Sequence, residues 1–184
     1  MRWMTRMGLA AVMAAGMVIG TAGIAGAKAK EVSPEKYAKT LCGTFSKIST
    51  SETDLAGKLG ALDKNDPVAY QSQASELASQ YQQQWAAAAK KLKKKYPGVD
   101  DGKKIGKKFS DYAGQAADEI QSAIDTFRAA DPHGVAFAAD VATFGVAFQT
   151  LSAKLGDPFS EVTDQDVLGA FKDEKSCDEI VTIF

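Results

Sequence analysis

The chain has 184 residues, with 22 Lys and Arg against 23 Asp and Glu, one histidine and two cysteines. That length suits one domain with a proper core, and with His133 as the sole histidine every Ser-His-Asp or Cys-His arrangement must run through a single side chain. The near-neutral total conceals a strong segregation of charge along the sequence.

Arg2 and Arg6 stand before twenty-one uncharged residues, Met7 to Ala27, rich in Ala, Gly, Val, Met and Ile. These are the charged start and apolar middle of a signal peptide. Ala25 and Ala27 put small residues three and one positions before a peptidase cut, so residues 1–27 are read as a signal peptide cleaved after Ala27, with Ala29 as second choice. The mature chain then starts at Lys28 or Lys30, and residues 28–184 are read as one helical-bundle domain. The alternative is a retained N-terminal membrane anchor, since twenty-one uncharged residues can cross about 30 Å of hydrocarbon. Weak apolarity and the peptidase site favour cleavage. No cysteine follows the apolar stretch, which excludes attachment through a lipidated N-terminal cysteine. Either way the protein is expected to be exported, secreted or extracytoplasmic. In type, this layout resembles small exported bacterial proteins; no family's site residues come with that likeness.

Cys42 and Cys177 lie near the two ends of the mature chain, which is bound for an oxidising compartment. One pairing is possible. Closing a loop of some 135 residues stabilises a fold by about 5 kcal/mol in the chain-entropy description. The same bond removes both thiols as nucleophiles or ligands.

From Ser33 onward the sequence repeats one grammar: an Asp or Ser cap, often Pro at the first helical position, apolar residues at spacings of three and four, then Gly or Pro. Strand signals are absent. The expected class is therefore all-α, a bundle of four to six helices with one long antiparallel hairpin, closed by the disulfide. The first helix opens at Ser33-Pro34, with Tyr37, Leu41, Phe45 and Ile48 on one face. A Ser/Thr-rich turn over 49–53 is expected next, then a short amphipathic segment marked by Leu55, Leu59 and Leu62. Asp66-Pro67 opens the longest helix, about thirty residues or about 45 Å, with Tyr70, Ala74, Leu77, Tyr81, Trp85, Ala88 and Leu92 inward and Pro97-Gly98 as its stop. After a short turn a second long helix carries Ile105, Phe109, Tyr112, Ala116, Ile120, Ala123 and Phe127, and the short connection makes the two antiparallel neighbours. Asp131-Pro132 is read as the start of a helix carrying Phe137, Val141, Phe144, Phe148, Leu151 and Leu155, with Gly156 as its C-terminal cap. Thr163 is read as the cap of a short helix with Val167, Leu168 and Phe171, and Ser176 begins a last turn holding Cys177, Ile180, Ile183 and Phe184.

Motifs for chemistry fail on spacing. Asp63, Asn65 and Asp66 begin like a calcium loop, but Pro67 takes the third ligand position and no glycine follows. Gly57 and Gly60 lack the Lys-Ser/Thr of a phosphate loop. Neighbouring carboxylates such as Asp118 with Glu119 or Asp173 with Glu174 point to different sides of a helix. No catalytic residue, metal or cofactor is expected.

One run departs from local preference. Lys90, Lys91, Lys93, Lys94, Lys95, Lys103, Lys104, Lys107 and Lys108 face only two Asp within nineteen residues, a net of +7, while the rest of the mature chain holds 11 Lys and Arg against 21 Asp and Glu. The later four fall in the first turns of a helix, where cations are disfavoured by a few tenths to about 1 kcal/mol each. Helix stability does not explain them, so the hairpin tip is expected to be a positive knob on an acidic body and an anion-contact candidate. Leu92, Tyr96, Ile105 and Phe109, interleaved with these lysines, have the period of residues pointing into the hairpin seam. Nucleic-acid stacking needs exposed rings, so nucleic acid is not an expected partner. The first functional reading is an exported, non-enzymatic binding protein of the cell envelope or medium, contacting anionic lipid or polymer through that tip. The alternative is a carrier of a lipophilic ligand or haem between helices lined by Tyr81, Trp85, Tyr112, Phe137, Phe144 and Phe148.

Overall fold

The computed structural model describes residues 28–181; the expected signal peptide with its cleavage site at Ala27, and Ile183 and Phe184, lie outside the described residues. The described chain opens with a three-residue strand, β1 (Lys30–Val32), and Ser33 then caps the first helix, α1 (Pro34–Gly60). Ser33 Oγ accepts from the Lys36 N–H at 3.4 Å, with Pro34 pre-set for the first helical position. The turn expected over 49–53 is absent, and α1 runs through it. Thr50, Ser51 and Thr53 donate their hydroxyls to the carbonyls of Ser46, Lys47 and Ser49, four residues back. Hydroxyls that compete with a helix when they bond elsewhere here bond to it, and buried Ile48 and Leu55 carry the apolar stripe across.

Asp66-Pro67 does open α2 (Pro67–Leu92), Asp66 Oδ1 accepting from the Ala69 N–H at 3.0 Å. This helix stops at Leu92, before Pro97. The next residues are extended as β2 (Lys95–Pro97), which pairs in parallel with β1, Lys30 against Lys95 and Val32 against Pro97. Lys30 N–H donates to Lys94 O and Gly98 N–H to Val32 O, both at 2.8 Å. This small sheet corrects the expectation that strands are absent. Each strand is too short to show alternation, and its partner lies far along the chain, so nothing local marks it.

The hairpin returns in α3 (Gly102–Ala129). At its far end Gln71 Nε2 of α2 donates to the carbonyls of Phe127 and Ala130 at 2.7 and 2.8 Å, which fixes the antiparallel arrangement. Buried Ala74, Ala78 and Ala88 of α2 and Ala113, Ala116 and Ala117 of α3 bring the axes close. At the near end Gly102 and Gly106, one turn apart, lie against β2. A Cβ on Gly102 would meet Pro97 O at 1.8 Å, and one on Gly106 would meet Lys95 O at 2.9 Å. Missing side chains are what allow the strand to rest on the first turn of the helix.

Asp131-Pro132 does not begin a helix. Asp131 closes a turn instead, its carboxylate accepting from the His133 N–H and its carbonyl from the Gly134 N–H, both at 2.9 Å. The helix follows as α4 (Phe137–Gln149) and breaks at Thr150 into α5 (Leu151–Leu155), which ends at Gly156; its φ of 74° with ψ of 179° is open to glycine but is not the left-handed helical cap. Asp164, one residue after the expected Thr163, caps α6 (Gln165–Asp173), accepting from Asp166 and Val167 N–H at 3.1 and 3.0 Å. The break at Thr150 helps bring the helices among the described residues to seven, the last being α7 (Lys175–Val181). The class is all-α, and one disulfide, Cys42 to Cys177, joins α1 to α7 with both cysteines buried. Phe45 of α1 sits at the centre of the core, its ring 5.8 Å from Trp85, 6.2 Å from Tyr112 and 6.3 Å from Phe109.

Candidate functional site: a lysine-lined groove

The nine lysines of the sequence run do not share one surface. Lys91 turns toward α1, its Nζ donating to Thr44 Oγ1 at 2.9 Å, and Lys95 reaches Thr40 Oγ1, one turn earlier, at 3.4 Å. Both threonines donate their own hydroxyls to carbonyls four residues back, which leaves oxygen lone pairs for the ammonium groups. Desolvation, and then the charges of Lys47 and Lys95, hold the Lys91 ammonium below its ordinary pKa. On the other side of α3, Lys108 pairs with Glu161 at 2.6 Å. The Glu161 carboxyl is held below the usual range by that hydrogen bond, then by the charges of Lys108 and Lys104. Lys107 pairs with Asp111 one turn on, and Lys103 lies over the Tyr96 ring, 5.7 Å from its centroid. Lys90, Lys93 and Lys94 are exposed.

A groove of about 660 Å³ gathers four of the nine, Lys93, Lys95, Lys103 and Lys107, and adds Lys28 from the start of the described residues. Ala29, Tyr96, Gly106, Ser110 and Asp111 complete its walls. Lys28 is the residue that sequence reasoning misses. Its place depends on the parallel pairing of β1 with β2, which draws the chain before Lys30 alongside Lys93 and Lys95. Tyr96 is a correction as well. Leu92, Ile105 and Phe109 are buried as their period suggests, but Tyr96 belongs to a strand, so a helical period does not aim it, and its ring is only half-buried.

A second groove, about 560 Å³, adjoins the first along α3, sharing Lys107 and Asp111 with it and adding Lys104, Lys108, Asp157 and Glu161. Three carboxylates, Asp111, Asp157 and Glu161, match its three lysines in number, so it carries no surplus charge. The first groove has five lysines and one carboxylate, so the surplus charge of the tip is concentrated there. No acidic residue stands in the first turn of α3, and the Asp101 side chain makes no cap bond. The positive end of the helix dipole therefore adds to the lysine field. Comparison with known protein families, curated proteins and solved structures finds no match to this chain.

The aromatic residues of the carrier reading pack on one another. Phe144 stacks on Phe127 at 4.3 Å, with Phe137 on the same ring at 5.8 Å. Phe148 meets Tyr81 at 6.2 Å, and Trp85 meets Tyr112 at 6.0 Å. The cleft beside Phe144 and Phe127 holds about 210 Å³, under the roughly 300 Å³ at which ligand clefts begin. His133 is exposed, and no helix among the described residues is long and apolar enough to cross a membrane.

Beside that cluster, desolvation raises the Glu52 carboxyl above its ordinary value, opposed by a hydrogen bond with Tyr81. Desolvation in turn pushes the Tyr112 hydroxyl up to about 12, helped by the charges of Asp157 and Glu52. A carboxyl raised in the folded state favours its protonated form, so its stabilising contribution is present below 4.5 and lost as pH rises through the folded value. Glu52→Gln keeps a neutral acceptor for Tyr81. It should raise the thermal midpoint at pH 7 and make no difference near pH 3 to 4; equal midpoints at pH 7 would remove this assignment.

Proposed function

We propose that the protein is an exported, non-enzymatic binding protein of the cell envelope or medium, contacting anionic lipid or envelope polymer through the lysine-bearing end of the α2–α3 hairpin. The observation that carries this reading is the groove, where five lysines from three separate stretches of chain meet one carboxylate. The mature chain is net −3 by residue count, 20 Lys and Arg against 23 Asp and Glu. Within a Debye length of about 8 Å, however, the local field governs contact and the total charge does not.

The mature protein should therefore sediment with phosphatidylglycerol vesicles, or with isolated acidic envelope polymer, but not with neutral phosphatidylcholine, and the binding should weaken steeply with salt. Changing Lys103, Lys104, Lys107 and Lys108 together to Gln should abolish it. Stability should move little, since the exposed Lys107–Asp111 pair is worth about 0–1 kcal/mol and Gln at the half-buried position 108 can still donate to exposed Glu161. Relief of the unfavourable helix-end charges offsets what is lost. A parent that ignores anionic surfaces at low salt, or a Gln variant that binds as well as the parent, would sink this reading.

A further inference from the structure

We infer that the groove at the hairpin tip is a seat for a single organic phosphate, and that cleavage after Ala27 completes it by adding the α-ammonium of Lys28. The inference rests on the tip being an anion-contacting surface and narrows that surface to one site.

Three features carry it. The first is unbalanced charge in a concavity. Lys28, Lys93, Lys95, Lys103 and Lys107 surround about 660 Å³ with Asp111 as the one carboxylate among the lining residues. That volume lies within the range of small-molecule sites. Like charges gathered in a concavity repel one another, and an anion between them reverses the sign of that interaction. Gly102 and Gly106 are needed to bring β2 onto α3, and the β1 pairing to bring in Lys28.

The second feature is the kind of cation. The groove is built from lysines alone, and Arg128, the single arginine of the mature chain, lies near the end of α3, away from the tip. Arginine's planar fork matches a carboxylate in two parallel bonds, whereas ammonium groups are point charges that approach from separate directions. A tetrahedral phosphate, with oxygens facing several ways, suits the second arrangement.

The third is the wall between the charges. The Tyr96 ring, the Ala29 methyl and the bare backbone of Gly106 stand among the lysine stems. Such a surface takes a small organic body behind the anion, as in a glycerophosphate, whether free or as the headgroup of a phospholipid. The α-amino group of Lys28, exposed by a cut after Ala27, adds one further cation at the groove's edge. A cut after Ala29 would remove both Lys28 and the methyl wall.

The test is an NMR titration of the disulfide-bonded protein beginning at Lys28, with glycerol 3-phosphate, with dihexanoyl phosphatidylglycerol below its micellar range, and with inorganic phosphate. Saturating amide shifts are expected at Ala29, Tyr96, Gly106 and Ser110 for both organic phosphates. A chain beginning at Lys30, and a Lys28→Gln/Lys103→Gln variant whose changes fall on exposed side chains, should each bind about tenfold more weakly. Shifts with both organic phosphates alongside vesicle sedimentation support a lipid source. Groove shifts without sedimentation leave the seat in place for a soluble phosphate and remove the surface-contact reading. Sedimentation without groove shifts does the opposite and overturns the inference. Shifts spread evenly over Lys90, Lys94 and Lys104, or untouched by loss of residues 28 and 29, overturn it too, as does inorganic phosphate binding as tightly as the organic ones.

Discussion

Replacing Cys42 and Cys177 together by alanine, or reducing their bond, should lower the stability of the fold by about 5 kcal/mol, the largest effect expected of any change in this chain. The bond closes a loop of 135 residues, most of the domain, so its removal frees most of the unfolded chain's constraint. It also releases α7, a seven-residue helix that holds to α1 around the cystine and is too short to persist in water alone. For a domain of this size the loss corresponds to a fall in melting temperature of about 10–20 °C. Calorimetry with and without reductant measures it. A midpoint that moves by only a degree or two, with proteolysis confined to the residues after Asp173, would mean that the bond staples a tail and leaves the bundle's stability to its core.

Gly102→Ala should be the next most damaging change. Its Cβ would stand 1.8 Å from the backbone oxygen of Pro97, a clash that no side-chain rotation relieves, so β2 has to leave the helix. Overpacking of this kind costs about 1–3 kcal/mol. Gly106→Ala, with contacts of 2.8 and 2.9 Å to Tyr96 and Lys95, should act in the same direction. Gly114 lies on the same helix with open space where its Cβ would be. There alanine should stabilise by up to about 1 kcal/mol through helix propensity alone. The contrast between the three positions in urea unfolding isolates strand contact from propensity. If Gly102→Ala gained as much as Gly114→Ala, β2 would not rest on α3, and the groove that depends on that contact would lose its wall.

Periodicity made the long helices legible. Tyr37, Leu41, Phe45 and Ile48 on α1, and Ile105, Phe109, Tyr112 and Ile120 on α3, are buried as their spacing of three and four implies, because a helix amphipathic over several turns has one way to face a core. The two cysteines could pair in only one way. Boundaries were harder, for a physical reason: Ser, Thr, Asp and Pro serve both as caps and as turn formers. Over Ser49 to Thr53 the hydroxyls bond back to the helix, and at Asp131-Pro132 the carboxylate closes a turn, yet both segments carry the composition of the other outcome. The lysine run was visible as an anomaly, but not which lysines meet. That depends on a pairing between Lys30 and Lys95 and on two glycines whose role is to be absent from a contact, and neither leaves a local pattern.

The place where β1 begins bears on how strongly the tip would need to bind. Only Lys28 and Ala29 separate Lys30 from Ala27, so even fully extended the chain spans about 11 Å from the end of the apolar segment to the strand that frames the groove. If that segment stayed in a bilayer, the meeting of groove and headgroup would become an intramolecular event on a leash three residues long. Short tethers create effective concentrations in the millimolar range, so a groove of only millimolar affinity would be substantially occupied by whatever phosphates line its own leaflet. Once cut free, the same groove must find its ligand from bulk solution, and occupancy would follow the ligand's supply there. Peptidase action would thereby act on the tip twice, adding the Lys28 α-ammonium at the groove's edge and releasing the groove from its tether to the leaflet.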